Sequence, residues 1–120
     1  MLPRAQRLTS REFETAFADA RILRHPLLQL RVFRRNENGI VRAAFVAPKK
    51  LGGAVIRNRL RRRVRERYRL HPLRNDENWK RRMQSCDLIF LISPPALLAS
   101  PETIDEALEQ LLRRAQNQAK

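Results

Sequence analysis

The stretch AVIRNRLRRRVRERYRL, Ala54–Leu70, carries eight arginines and one acid, Glu66. A helix turns about 100° per residue, so with Ile56 at zero, Leu60, Val64 and Tyr68 fall at roughly 40°, 80° and 120°. That is a single apolar stripe, and it predicts a helix seated on other structure through those four residues. Asn58, Arg62, Arg65 and Arg69 gather at roughly 180–240° by the same arithmetic. Arg59 and Glu66 lie beside them, and Arg57 and Arg61 border the stripe on its other side. The spacing therefore predicts a helix with one buried side and a polar wall opposite.

The flanking sequence supplies what the helix packs on. PLLQLRVFRR, residues 26–35, places Leu28, Leu30 and Val32 in alternation with Gln29, Arg31 and Phe33, the period of a strand. NENG, residues 36–39, is a turn cluster, and IVRAAFVA, residues 40–47, is a second β-prone run, so the pair predicts a hairpin. PKKLGG then breaks the pattern, with Gly52 and Gly53 free to take backbone angles denied to other residues. Upstream, TSRE at residues 9–12 is a capping box, followed by Phe13, Ala16, Phe17 and Ala20 at helical spacing, which predicts a helix over residues 10–20.

Downstream, HPLRNDENWKRRMQS is polar and irregular and predicts a surface loop anchored by Trp79. CDLIFLIS is almost continuously apolar, as in a central strand covered on both faces. SPETIDEALEQLLRRAQ has Ser100 at the N-cap, Pro101 at the first helical position, acids in its first turns, Arg113 and Arg114 late, and a stripe of Ile104, Leu108, Leu111 and Ala115. The order α-β-β-α-β-α with a central sheet predicts an α/β (α+β) two-layer sandwich, one domain spanning residues 1–120.

Charge points to the partner. The 120 residues hold 26 Lys+Arg against 12 Asp+Glu, a net charge of +14. Charge of that size attracts polyanions. The excess is mostly arginine, whose planar fork grips phosphate and stacks on bases. Like charges at i,i+4, such as Arg61 with Arg65 and Arg65 with Arg69, destabilise an isolated helix by a few tenths of a kcal/mol each. A helix built for stability alone would mix signs, as residues 101–114 do. The unopposed repulsion points to an external polyanion. The longest apolar run, LIFLI at residues 88–92, is far short of the ~20 residues a membrane span needs. The N-terminus lacks the apolar core of a signal peptide, and the lone Cys86 has no internal partner. The expected compartment is the cytoplasm.

The segment APKKLGGAVIRNRLRRRVRE resembles the signature of the bacterial ribonuclease P protein subunit, a lysine pair and Gly-rich turn before an Arg-Asn-Arg helix. RLTSREFETAF is similar to that family's first helix, and DLIFLISPPA sits where it has its last strand. The resemblance implies a mixed sheet with a left-handed β-α-β crossover around the basic helix, opposite to the general rule. It implies a protein that binds a catalytic RNA and the 5′ leader of precursor tRNA, one protein per RNA, assisting endonucleolytic leader removal. Chemistry and Mg²⁺ would belong to the RNA. Carried over residue by residue, Lys49, Lys50, Arg57, Asn58, Arg59, Arg61, Arg62, Arg65 and, further along the same face, Arg69 would contact RNA. Phe13 and Phe17 would line the leader cleft, with Arg31 where the family often has an aromatic. Ala47–Pro48 stand where a serine is common, and Gly53 stands where asparagine is frequent.

The residues themselves offer no catalytic set. The acids lie mostly on the last helix or in the irregular loop, whereas a metal-dependent nuclease gathers carboxylates. His25 and His71 each precede a proline at an element boundary, where a turn or surface role is expected. A ribosomal or other structural RNA-binding protein shares every charge argument. A DNA-binding module would set the basic helix in a helix-turn-helix or a dimer seam, and here strands surround it instead.

Overall fold

The computed structural model of the chain describes Leu2 and residues 6–35 and 39–118. Its centre is the strand β4, Cys86–Ile92, in which every residue but Leu91 is buried. The remaining elements, in chain order, are α1 (Ser10–Asp19), β1 (Arg21–Arg24), β2 (Leu28–Arg34), β3 (Arg42–Val46), α2 (Ala54–Leu70), α3 (Glu77–Arg82) and, after β4, α4 (Pro101–Gln118). The sheet order is β1-β2-β4-β3, with β1/β2 and β2/β4 antiparallel and β3/β4 parallel.

The expected pairing of the second and third strands is overturned, because β4 is inserted between them. Alternation in β2 and β3 identifies strands but carries no information on their neighbours. The doubly apolar β4 needs a strand on each side, so it takes β2 and β3. The antiparallel partner of β2 on its other edge is β1, only four residues long and absent from the expected order. The turn residues Asn36, Glu37 and Asn38 lie outside the described residues. The parallel β3–β4 pair makes the connection through α2 a crossover.

Register assigns every side chain to a face. Leu23, Leu30, Phe90 and Phe45 align across the four strands, and with Leu28, Leu88, Ile92 and Ala43 they form the face covered by α2 and α4. The Phe45 and Phe90 rings stack at 5.2 Å and Tyr68 of α2 packs against both, at 5.6 and 5.3 Å. Burial pushes the Tyr68 hydroxyl up to about 12. Gln29, Arg31, Phe33, Asp87, Ile89, Leu91, Arg42 and Ala44 point to the opposite face, where α1 lies through the fully buried Ala16. The two principal layers are thus the sheet and the α2/α4 pair, with α1 covering part of the other face.

Helix ends follow the local chemistry. Thr9 N–H donates to Glu12 Oε1 at 2.8 Å and Glu12 N–H to Thr9 Oγ1 at 3.3 Å, the reciprocal capping box. The backbone bond from Thr9, with Arg42 alongside, holds the Glu12 carboxyl below its ordinary range. Ser100 Oγ accepts from Thr103 N–H at 3.2 Å, and Ile104, Leu108, Leu111 and Ala115 are fully buried, as the stripe requires. Arg67 forks onto Asp105, tying α2 to α4.

The segment expected to be irregular contains α3. Asp76 accepts from Trp79 N–H at 3.0 Å as its N-cap, and the fully buried Trp79 donates Nε1–H to the Leu112 carbonyl at 3.1 Å. Trp79 does anchor the segment, by tying it to α4. The two His-Pro-Leu sequences fold alike. His25 Nδ1 accepts from Leu27 N–H and His71 Nδ1 from Leu73 N–H, both at 3.1 Å, so each ring closes its own turn.

One buried charge organises the α1 face. Asp87, 1% exposed, accepts from Arg42 Nε at 2.8 Å and Nη2 at 3.0 Å, and also from Arg35, while Arg42 reaches Glu12 as well. Removing one member of a buried ion cluster strands the rest. Asp87→Ala is expected to cost about 3–5 kcal/mol, read as a lower urea midpoint at unchanged m-value.

Candidate nucleic-acid interface

Two surfaces hold the residues singled out by sequence, and they lie on opposite faces of the sheet. The first is α2. Leu60, Val64 and Tyr68 are at most 4% exposed and seat the helix on Phe45 and Phe90. Ile56, the fourth member of the expected stripe, is 47% exposed. It lies in the first turn of α2 and borders a small hollow with Arg59, Leu60, Arg63 and Leu97.

Asn58, Arg62 and Arg65, opposite the buried stripe, and Arg61, at its border, line one shallow groove of about 400 Å³. Arg61 Nη1 donates to Asn58 Oδ1 at 2.9 Å, so the asparagine orients a neighbouring guanidinium. Among the described residues no carboxylate pairs with Arg61, Arg62 or Arg65. Arg57 is half-buried, and its Nε is covered without an acceptor among the described residues. Arg59 is exposed and belongs to the Ile56 hollow. Arg69 differs from its neighbours on the helix wall, since its Nε lies 2.9 and 3.0 Å from the two oxygens of Glu66. Arg67 is spent on Asp105.

The approach to α2 is a tight turn over Lys49–Leu51. Leu51 is buried and pins it, leaving Lys49 and Lys50 exposed. Gly52 has φ 134°, a backbone angle that favours glycine, and a Cβ there would lie a tight 3.3 Å from Ile56 Cδ1. Gly53 needs no such freedom. It is the N-cap of α2 at φ −71°, with no side chain to cap the helix and nothing near its missing Cβ.

The second surface is the cleft between α1 and the sheet. Phe13 and Phe17, one helical turn apart, stack with centroids 5.5 Å apart and are half-buried. Arg31 of β2 places its guanidinium carbon 3.8 Å from the Phe17 centroid, donates to the Phe17 carbonyl at 3.4 Å and to Gln29 Oε1 at 3.0 Å. The structure thus brings Phe13, Phe17 and Arg31 together. The same face holds a cavity of about 480 Å³, lined by Arg11, Glu12, Thr15, Phe33, Arg35, Arg42 and Asp87. Sequence reasoning missed this set. Phe33 was within reach, because residues 29, 31 and 33 share a strand face. Arg35, Arg42 and Asp87 were not, because their grouping depends on the non-local β2–β4–β3 register. Among the described residues no three of His, Cys, Asp and Glu gather as metal ligands, and no helix is long and apolar enough to cross a membrane.

The chain as a whole is similar to known proteins. The ribonuclease P family model matches residues 2–116. The chain belongs to that family. A ribonuclease P protein component of Roseiflexus sp. (strain RS-1) is 37% identical over 117 residues, covering 95% of this chain and 88% of the relative. That of Herpetosiphon aurantiacus is 38% identical over 116 residues, covering 96% and 88%. In structure, the RNase P protein of Staphylococcus aureus superposes with a TM-score of 0.74 at 24% identity, covering 93% of this chain and 96% of that one. The RNase P protein of Thermotoga maritima does so with 0.70 at 25% identity, covering 90% and 96%.

Within this ribonuclease P fold the two glycines separate experimentally. Gly52→Ala is expected to lower stability by about 1 kcal/mol or more. Gly53→Asn is expected to raise it by a few tenths of a kcal/mol, because asparagine can cap the helix. Parallel thermal melts of the two variants check the pair.

Proposed function

We propose that this chain is the protein subunit of a ribonuclease P that removes the 5′ leader of precursor tRNA. In this reading α2 and the Lys49–Lys50 turn dock on the catalytic RNA, one protein per RNA. The α1 cleft holds the single-stranded leader, and the RNA performs the endonucleolytic step with its own Mg²⁺ in the cytoplasm. The chain contributes binding and no catalytic group.

The observation that carries the reading is the contrast along α2. Arg67 and Arg69 have carboxylate partners, whereas Arg61, Arg62 and Arg65 line a common groove without one among the described residues. A phosphate backbone would supply the missing charge and release its own counterions. The cleft is suited to an unpaired strand. Aromatic faces beside fixed positive charge hold successive nucleotides with little sequence preference, and Phe13, Phe17 and Arg31 supply both. Because the surfaces lie on opposite faces of the sheet, one molecule can engage the catalyst and the leader together.

Reconstitution tests this. The purified protein, added to a bacterial ribonuclease P RNA, is expected to accelerate 5′ maturation of precursor tRNA at low Mg²⁺. No stimulation across several such RNAs would overturn the reading and favour a structural RNA-binding protein. Phe13→Ala tests the cleft separately. On a variant verified as folded, it is expected to weaken binding of a leader-bearing substrate by about 1–3 kcal/mol and to leave mature tRNA binding unchanged. Equal effects on both would return Phe13 to a packing role.

A further inference from the structure

Arg31 of β2 is held at three points. Its guanidinium carbon lies 3.8 Å from the Phe17 ring centroid, Nε donates to Gln29 Oε1 at 3.0 Å, and Nη1 donates to the Phe17 carbonyl at 3.4 Å. Gln29 and Arg31 are both half-buried and stand two positions apart on one face of the strand, so the amide anchors the guanidinium from its own element. Among the described residues no carboxylate pairs with Arg31, and Nη2 has no hydrogen-bond acceptor. Arg34, further along β2, differs. Its Nη1 and Nη2 donate to the backbone carbonyls of Gln84 and Arg82. Of the two arginines of β2, Arg31 is the one that combines a fixed plane with an open end.

That end is chemically selective. A guanidinium carries five N–H donors, and Gln29 and Phe17 take two of Arg31's. The outer Nη1/Nη2 edge remains, a pair of parallel donors. Guanine presents two acceptors to such a pair, O6 and N7, whereas adenine places an amino donor where guanine has O6. Phosphate also accepts a bidentate arginine, but a mobile side chain serves it as well as a fixed one. What a fixed plane adds is register with a flat partner, and base edges are what carry sequence. A base joined to that edge lies in the guanidinium plane, in a layer that stacks on Phe17. We propose that the Arg31 edge reads one guanine of the single-stranded leader through O6 and N7, with Gln29 as its positioning residue. Stacking on Phe13 and Phe17 accepts any base, so the preference falls at one leader position and leaves the others free. The inference rests on the reading of the α1 cleft as the leader site.

The test measures equilibrium binding of precursor tRNA to the holoenzyme reconstituted from this protein and a bacterial ribonuclease P RNA, with mature tRNA as reference. The leader is all uridine except for one guanine, moved through successive positions. At the position that binds best, guanine is then replaced by inosine, 7-deazaguanine or adenine. Guanine is expected to exceed adenine there by about tenfold. Inosine, which keeps O6 and N7, is expected to match guanine, and 7-deazaguanine, which lacks N7, to fall toward adenine. Arg31→Lys keeps the charge and removes the fork. It is expected to level the bases while leader-bearing substrate still binds more tightly than mature tRNA. Gln29→Leu is expected to shrink the preference at an unchanged melting temperature, and Gln29→Glu, which still accepts from Nε, to retain it. An unchanged preference in Gln29→Leu overturns the positioning role. Leader-dependent binding with no guanine preference, or a preference that survives Arg31→Lys or ignores N7, overturns the proposal and leaves the leader reading in place. Equal binding of leader-bearing and mature tRNA overturns both.

Discussion

The structure depends on the double burial of β4. A strand with no solvent face must find a neighbour along each edge and a cover on each side. The neighbours are β2 and β3, and the covers are α2 with α4 on one face and α1 on the other. Leu88, Phe90 and Ile92 build the core beneath the arginine helix, while Asp87, Ile89 and Leu91 form the floor beneath α1. A slip of one residue would exchange the two sets, driving Asp87 into the aromatic cluster and Phe90 into the cleft. The penalty for that slip pins the register of the whole sheet.

Charge is handled differently on the two faces. Around Asp87 it is buried and paired, with Arg35 and Arg42 both reaching that carboxylate and Arg42 also reaching Glu12. On α2 it is exposed and concentrated. The helix tolerates the repulsion because its stability comes from burying Leu60, Val64 and Tyr68, which outweighs a few tenths of a kcal/mol per like-charged pair. Three buried apolar residues thus permit a surface that the isolated helix would resist.

Local signals were legible in the sequence, and long-range ones were not. The capping box at Thr9, the cap at Ser100, the stripe of α4 and the both-faces burial of β4 all follow from neighbours within a few positions. The face of α2 that holds Asn58, Arg62 and Arg65 follows from helical angle alone. Strand order did not, because alternation in β2 is the same whether its partner is β3 or β4. The four-residue β1 has too few apolar positions to stand out, and α3 is marked chiefly by Asp76 and Trp79 in a polar setting. Ile56 shows the limit of periodicity. Its angle is right, yet in the first turn of the helix it stays 47% exposed. The Asp87 cluster and the cavity beside it join residues more than forty positions apart, and no spacing rule reaches that far.

The shared strand has a thermodynamic consequence. The α2 groove exists only when Phe90 and Leu88 point one way, and the cleft exists only when Asp87 and Ile89 point the other, so both surfaces vanish together when the sheet opens. Any molecule that binds either one draws on the same folding equilibrium. In a chain of net charge +14, whose self-repulsion weakens the compact state, occupancy of one face raises the population in which the other is formed. Two ligands that never touch are thereby made cooperative, each reciprocally strengthening the other.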